Sequence, residues 1–289
     1  MSDTDKPMNG KICMVTGATS GIGEVTAQVL AQQGATMVIV GRSKEKSIAT
    51  VDRIKEQTGN SSVEFLLADL SVQKEVRQLA EQFKSRYQRL NVLVNNAGAF
   101  VFKRQETVDG LEMSFALNHL SYFLLTNLLL DTIRASAPAR IINVSSSAHE
   151  GAKINFNDLQ GRQKYGGMRA YGQSKLANVL FTYELARRLE GSGVTVNALH
   201  PGLVATNFGK NNKGIVRQVM RLVHLFAISP EKGAQTIIYL ATSPEVEHVT
   251  GHYFVKQKDV RSSDESYDKT VAEKLWQVSV ELTGLPVSS

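Results

Sequence analysis

A phenol and an ammonium four residues apart, in Tyr171-Gly172-Gln173-Ser174-Lys175, are the side chains best placed to move a proton. At i and i+4 on a helix they share one face. A free tyrosine titrates near ~10 and is a poor acid or base at neutral pH. A neighbouring cation favours the phenolate and lowers that value. The reading is therefore a Tyr171 acid/base tuned by Lys175. Spacing alone is near what chance gives among eight tyrosines, so the weight rests on what surrounds the pair.

A second constellation suits an anion. The run Thr16-Gly17-Ala18-Thr19-Ser20-Gly21-Ile22-Gly23 follows an apolar stretch and precedes a helical one. Glycines allow a tight strand-to-helix turn and a close approach of backbone N–H groups to a pyrophosphate. The helix that follows presents its positive end. Dinucleotide folds that prefer NAD place an acid at the end of the second strand. Here that strand ends Val40-Gly41-Arg42. Arg42 can pair with a 2′-phosphate through its forked donors, and Lys46, one turn on, adds charge. NADP(H) is the expected cofactor. Asp69, in Ala68-Asp69-Leu70-Ser71, can accept from an adenine amino group; it can also cap the helix starting near Val72, where Ser71 competes.

These residues need a frame. Short β-type runs, Ile12–Val15, Thr36–Val40, Val63–Leu67, Val92–Val94, Arg140–Val144, Val194–Leu199 and His252–Val255, alternate with helical stretches such as Ile22–Gln33 and Val72–Tyr87. Such alternation predicts βαβ units and a doubly wound parallel sheet with helices on both faces. About seven strands are expected, in one α/β domain over residues 1–289. Two long connections interrupt the rhythm, at 147–168 and 208–228, and such connections carry specificity in these folds. The second is amphipathic and basic, and reads as a substrate lid, with core packing or membrane-surface contact as alternatives.

With these elements in this order, the chain resembles the short-chain dehydrogenase/reductase family from Lys11 to about Leu285. The motifs are Thr16–Gly23, Asp69, Asn95-Asn96-Ala97-Gly98, Asn118, Ser146, Tyr171/Lys175, and Pro201-Gly202 with Thr206. The resemblance implies a Rossmann-type fold and a division of roles. Tyr171 exchanges a proton with the substrate oxygen, and Ser146 hydrogen-bonds it. Ser146 is preferred to Ser145 because the family's serine is the second of the pair, and strand alternation lets only one face the site. Lys175 tunes Tyr171 and binds the nicotinamide ribose. Asn118 holds a water that continues the proton path. Thr16 and Asn95 tie the central strands near the cofactor, and Leu70, Ala97 and Gly98 are among the residues expected to bind it. The loop Pro201–Thr206 closes over the nicotinamide. Dimers and tetramers are common in the family.

A closer resemblance is to its retinol-dehydrogenase-like branch. It rests on Ile154–Leu159, Ser174–Phe181, Leu199-His200-Pro201-Gly202 and Leu275–Ser279. That implies reversible carbonyl–alcohol chemistry on a lipophilic, retinal-like small molecule. Alternatives from other classes are an NADP(H)-binding regulator or scaffold, and a reductase of another double bond.

Other classes recede. The formal charge is +6, but the basic residues are dispersed, with no run of five, so nucleic acid is not an expected partner. The six histidines show no metal-ligand spacing. No G-x-S-x-G elbow surrounds Ser146, which argues against a hydrolase. His149, which could face a substrate, reads as a surface or structural residue, and His200, before Pro201, as a structural one. Cys13, in an apolar run, reads as a core residue. Met1–Gly10 is polar, with no secretory signal. The longest near-apolar stretch, Tyr122–Leu130, is too short to span a bilayer. A soluble cytoplasmic protein without a membrane anchor is expected.

Overall fold

The computed structural model describes residues 6–202 and 228–286. Eight strands form one sheet, in the order β3-β2-β1-β4-β5-β6-β7-β8. They are β1 Ile12–Thr16, β2 Thr36–Gly41, β3 Val63–Leu67, β4 Val92–Asn95, β5 Ala139–Val144, β6 Val194–His200, β7 Tyr253–Val255 and β8 Lys258–Asp259. β1 to β7 pair in parallel; β8 pairs antiparallel with β7. The eighth strand goes beyond the seven expected. It has two residues, returned by a turn in which Lys256 and Gln257 adopt φ of 51° and 63°. Without glycine there, this hairpin carries no strong sequence signal.

Alternate residues of the buried strands feed two cores. On β1, Cys13 and Val15 join the core beneath α1 (Gly21–Gln32) and α6 (Pro230–Thr242), while Met14 joins the core on the other face. That second face is covered by α3 (Gln73–Arg86), α4 (Met113–Arg134) and α5 (Gly167–Arg188). α2 (Lys44–Thr58) follows β2, begins at an Ser43 cap that accepts from the Lys46 N–H, and ends at Gly59 with φ +69°. α7 (Lys269–Thr283) packs on α5. Burial on both faces explains why these strands read as continuous apolar runs.

The stretch Tyr122–Leu130 is part of α4, which at 22 residues is long and apolar enough to cross a membrane by length and composition. The near-apolar run Tyr122–Leu130 is only part of this helix. In the structure 72% of its apolar window is buried, in the manner of a core helix. The connection at 147–168 is packed rather than open: Ile154, Phe156 and Leu159 join an apolar cluster with Leu176, Leu180 and Leu275.

The strand order reverses between β1 and β4, which opens a crevice outside the carboxyl ends of these strands. The glycine-rich loop, β4, β5 and the start of α5 all meet there.

Candidate active site

The glycine-rich loop is built by close backbone approach. Gly17 has φ +64°, and a Cβ on it would lie 2.9 Å from Ala97 Cα. A Cβ on Gly23 would lie 2.5 Å from Gly17 O and 2.6 Å from Asn96 Nδ2. Thr16 Oγ1 donates to Val94 O (3.3 Å) and accepts from the N–H groups of Asn96 (2.9 Å) and Ala97 (3.1 Å). Asn96 Nδ2 donates to Thr16 O (2.8 Å). Asn96, passed over in favour of Asn95, is thus the residue that holds the loop. Its signal was the doubled asparagine. Asn95 points the other way: its Nδ2 donates to Thr126 Oγ1 (3.0 Å) and Asn143 Oδ1 (2.9 Å), and the residue is fully buried. It braces β4 against β5 and α4 rather than facing the crevice.

α1 starts at Gly21, and the extended Ser20 before it makes no side-chain cap bond. The first N–H groups of the helix are therefore left without a side-chain cap from Ser20. Gly41 lets β2 pass close beneath, since a Cβ there would lie 2.5 Å from Thr19 Cγ2. Arg42 follows directly, exposed and in no ion pair among the described residues. Lys46 is exposed one turn on. Asp69 Oδ1 accepts from the N–H and hydroxyl of Ser71 (2.9 and 2.7 Å), and the Asp69 N–H donates to Glu75 Oε2 (2.7 Å). Neither Asp69 nor Ser71 caps α3; Val72 stands at that position. Leu70 is buried in the core.

At the other end of the crevice, Ser146 leaves β5 in extended conformation and accepts on Oγ from the Ala148 N–H (3.2 Å). Its hydroxyl reaches the Tyr171 hydroxyl. Ser145 faces away, fully buried, donating to Lys175 O (2.7 Å). One turn past Tyr171, Lys175 Nζ lies 5.7 Å from the Tyr171 ring centre and donates to Val144 O (3.0 Å). A Cβ on Gly98 would approach Asn118 Oδ1 to 3.1 Å and Lys175 Nζ to 3.5 Å, so the glycine keeps this corner open.

Asn118 sits in a π-helical turn of α4, Ala116–Leu120. Such a turn frees carbonyls from the regular ladder; that of Asn118 accepts from Asn178 Nδ2 (2.8 Å). Its side chain is fully engaged, with Ala99 N (2.8 Å), Ala99 O (2.9 Å) and Ser174 Oγ (3.0 Å). The geometry is that of a brace between the 97–99 segment and α5, not of a free polar arm.

The electrostatics differ from expectation. Burial pushes the Tyr171 phenol up to about 12, with the Ser146 hydrogen bond opposing. Burial pulls the Lys175 ammonium down to about 7. In the protein alone, desolvation outweighs the mutual influence of the pair. The low polarity that makes a cation effective also weakens the cation's own charge.

The rim beside Tyr171 is apolar. The Phe100 ring lies edge-on to Tyr171 at 5.6 Å and 6.5 Å from Phe102. Phe102 and Met168 are 49% and 68% exposed. Gly167, next to Met168, admits the backbone of Val101 and Phe102, whose carbonyls lie 2.8 Å from where its Cβ would be. Pro201 and Gly202 follow β6, Gly202 with φ +93°. Thr206 and 208–227 of the second long connection lie outside the described residues. His200 is half-buried, and His149 is buried, not superficial. Burial pushes the Cys13 thiol up to about 12, as for an inert core residue. Among the described residues no group of three His, Cys, Asp or Glu could hold a metal ion.

The glycine cradle, the uncapped start of α1 and the buried Lys175, whose ammonium donates to Val144 O among the described residues, fit a dinucleotide laid across the crevice. Comparison with known proteins agrees. A profile of the short chain dehydrogenase family matches residues 11–214. Retinol dehydrogenase 12 of Mus musculus is 43% identical over 282 residues, covering 98% of this chain and 89% of its own length. Human polyprenol dehydrogenase is 43% identical over 286 residues, covering 96% and 87%. Among solved structures, an uncharacterized protein from Mycobacterium Paratuberculosis superposes with a TM-score of 0.79 at 32% identity, covering 100% and 99%. The Pseudomonas aeruginosa RhlG/NADP active-site complex gives 0.68 at 29% identity, covering 86% and 96%. The chain belongs to the short-chain dehydrogenase family and is an oxidoreductase of its retinol-dehydrogenase-like branch.

Proposed function

We propose that this oxidoreductase interconverts a lipophilic carbonyl and its alcohol with NADP(H), with Tyr171 as acid/base. The observation that carries the reading is the Tyr171 hydroxyl engaged with that of Ser146, above a buried Lys175 on the same helix. A bound nicotinamide would supply or take up the hydride. In the reducing direction Tyr171 protonates the carbonyl oxygen, and Ser146 donates a hydrogen bond to the charge developing there. Lys175 would hold the ribose hydroxyls of a bound nucleotide, and its charge favours the phenolate left on Tyr171. Its influence grows when the site is shielded from water and carries positive charge.

Arg42 supports the preference for the 2′-phosphate, since it stands at the end of β2 where an acid would select NAD. Phe100, Phe102 and Met168 support an apolar substrate. Retinol and polyprenol, named for two relatives, are alcohols of that kind. A panel of short, aromatic and long-chain aldehydes and alcohols, assayed with NADPH and NADH, tests the reading. Turnover with rates rising with chain length, and with NADPH preferred, supports it. No turnover of any member despite NADPH binding overturns it.

A further inference from the structure

We infer that His149 is a positioning residue for Ser146, clamping the serine's backbone against the C-terminal arm of the chain. The inference rests on the role proposed for Ser146. His149 lies three residues on, at the end of the short turn Ser147–His149. Its Nδ1 is 2.7 Å from Ser146 O, and its Nε2 accepts from the Ser263 backbone N–H at 3.1 Å, across 114 residues of sequence. Both partners are backbone groups with fixed roles. A carbonyl only accepts and an amide N–H only donates. Nδ1 must therefore carry the proton and Nε2 must be bare. One tautomer and one ring orientation satisfy both ends.

The clamp acts on the atoms that aim Ser146. Its carbonyl receives two N–H groups from one residue, the ring Nδ1–H and the His149 backbone N–H at 3.1 Å. The same turn lets the Ala148 N–H occupy a lone pair of Ser146 Oγ, which leaves the hydroxyl proton toward Tyr171. The arm behind Ser263 is anchored in turn. Ser262 Oγ meets the Tyr183 hydroxyl at 2.6 Å, and Tyr183 lies on α5, the helix that carries Tyr171 and Lys175. His149 thus references the end of β5 to the frame of α5. The ring is fully buried and lies 4.8 Å from that of Tyr253. Burial holds its pKa below the usual imidazole range, which keeps it neutral as the clamp requires.

His149→Phe keeps an aromatic ring and removes both backbone hydrogen bonds, along with the longer contact of the Tyr253 hydroxyl to Nδ1 at 3.5 Å; His149→Asn restores a donor near the Nδ1 position. In steady-state kinetics His149→Phe is expected to lower kcat about tenfold or more. KM and the dissociation constant for NADPH should change less than about twofold. His149→Asn should regain most of the loss. Nitrogen-15 NMR of the wild-type imidazole should show the neutral Nδ1–H tautomer. Wild-type kcat in His149→Phe beside an inactive Ser146→Ala overturns the clamp. So does an Asn variant no better than Phe, or an Nε2–H tautomer. Full activity in Ser146→Ala instead overturns the role of the serine itself. If His149→Phe fails to fold, the tautomer measurement on the unmodified protein decides.

Discussion

The two ends of the crevice are made of different material. The cradle at Thr16–Gly23 is backbone: glycines, an uncapped helix start and a crossing asparagine, with Arg42 in solvent at its edge. The proton-handling end is side chain: a phenol, a hydroxyl and an ammonium taken out of water, with titrations displaced in opposite directions. The first is exact in shape and electrostatically mild. The second is exact in environment, and its chemistry changes with what lies above it. A charge in solvent acts through high dielectric, whereas a buried one meets little screening.

This contrast ranks the effects of substitution. Tyr171→Phe removes the proton donor while keeping the ring. Loss of kcat by about 10³–10⁴ is expected with NADPH binding nearly unchanged, as read by stopped-flow kinetics and calorimetry. Retained turnover would show that the phenol is not the acid. Gly23→Ala attacks the backbone end. The new methyl meets Gly17 O and Asn96 Nδ2 at contact distances real side chains do not adopt. A stability loss of about 1–3 kcal/mol and weakened dinucleotide binding should follow, visible in thermal melts with and without NADPH. Unchanged binding would mean the cradle is not where the pyrophosphate sits.

Arg42→Ala should be gentler. One charged hydrogen-bonding pair at the surface is worth about 1.5–3 kcal/mol, so KM for NADPH should rise by about ten- to a hundredfold with KM for NADH little changed. Equal loss for both cofactors would remove Arg42 as the discriminator.

The smallest effect is on stability, and it has a sign. The Lys175 pKa is lowered from 10.5 to about 7. Between those values the unfolded chain binds a proton that the folded chain does not, so stability rises with pH through this window. Lys175→Met removes the buried cation. It should abolish turnover yet raise the Tm of the cofactor-free protein by a few degrees at pH 7. The gain should shrink toward pH 10. A Tm difference independent of pH would show that burial does not hold the ammonium down.

The fold was legible because both faces of the sheet are buried. That burial writes strands as short apolar runs and helices as the longer stretches between them, and each expected strand has its counterpart. The two-residue β8 was not legible, since its turn uses Lys256 and Gln257. α4 was under-read because only Tyr122–Leu130, bounded by Ser121 and Asp131, was counted, while the helix starts nine residues earlier at Met113. At the site, the backbone end was the more readable: glycine in a strand-to-helix turn has a specific conformational reason. Asn95 was read as a tie between central strands, and its bonds to Thr126 and Asn143 are of that kind. Asn118 was harder: an amide's type shows that it will be hydrogen-bonded, not to whom, and its side chain turned inward as a brace.

Residue order along the chain was enough to determine the doubly wound sheet and to single out Tyr171, Ser146, Lys175 and Arg42 for the roles proposed above, because topology sets where the ends of β2 and β5 and the helix after β5 must lie. Tertiary structure alone decided the electrostatic state of the pair. Burial depends on everything packed around α5, and it reverses the direction expected for Tyr171 from its lysine alone. The packing of His149 between Ser146 and Ser263 was likewise invisible, since a contact across 114 residues leaves no local pattern.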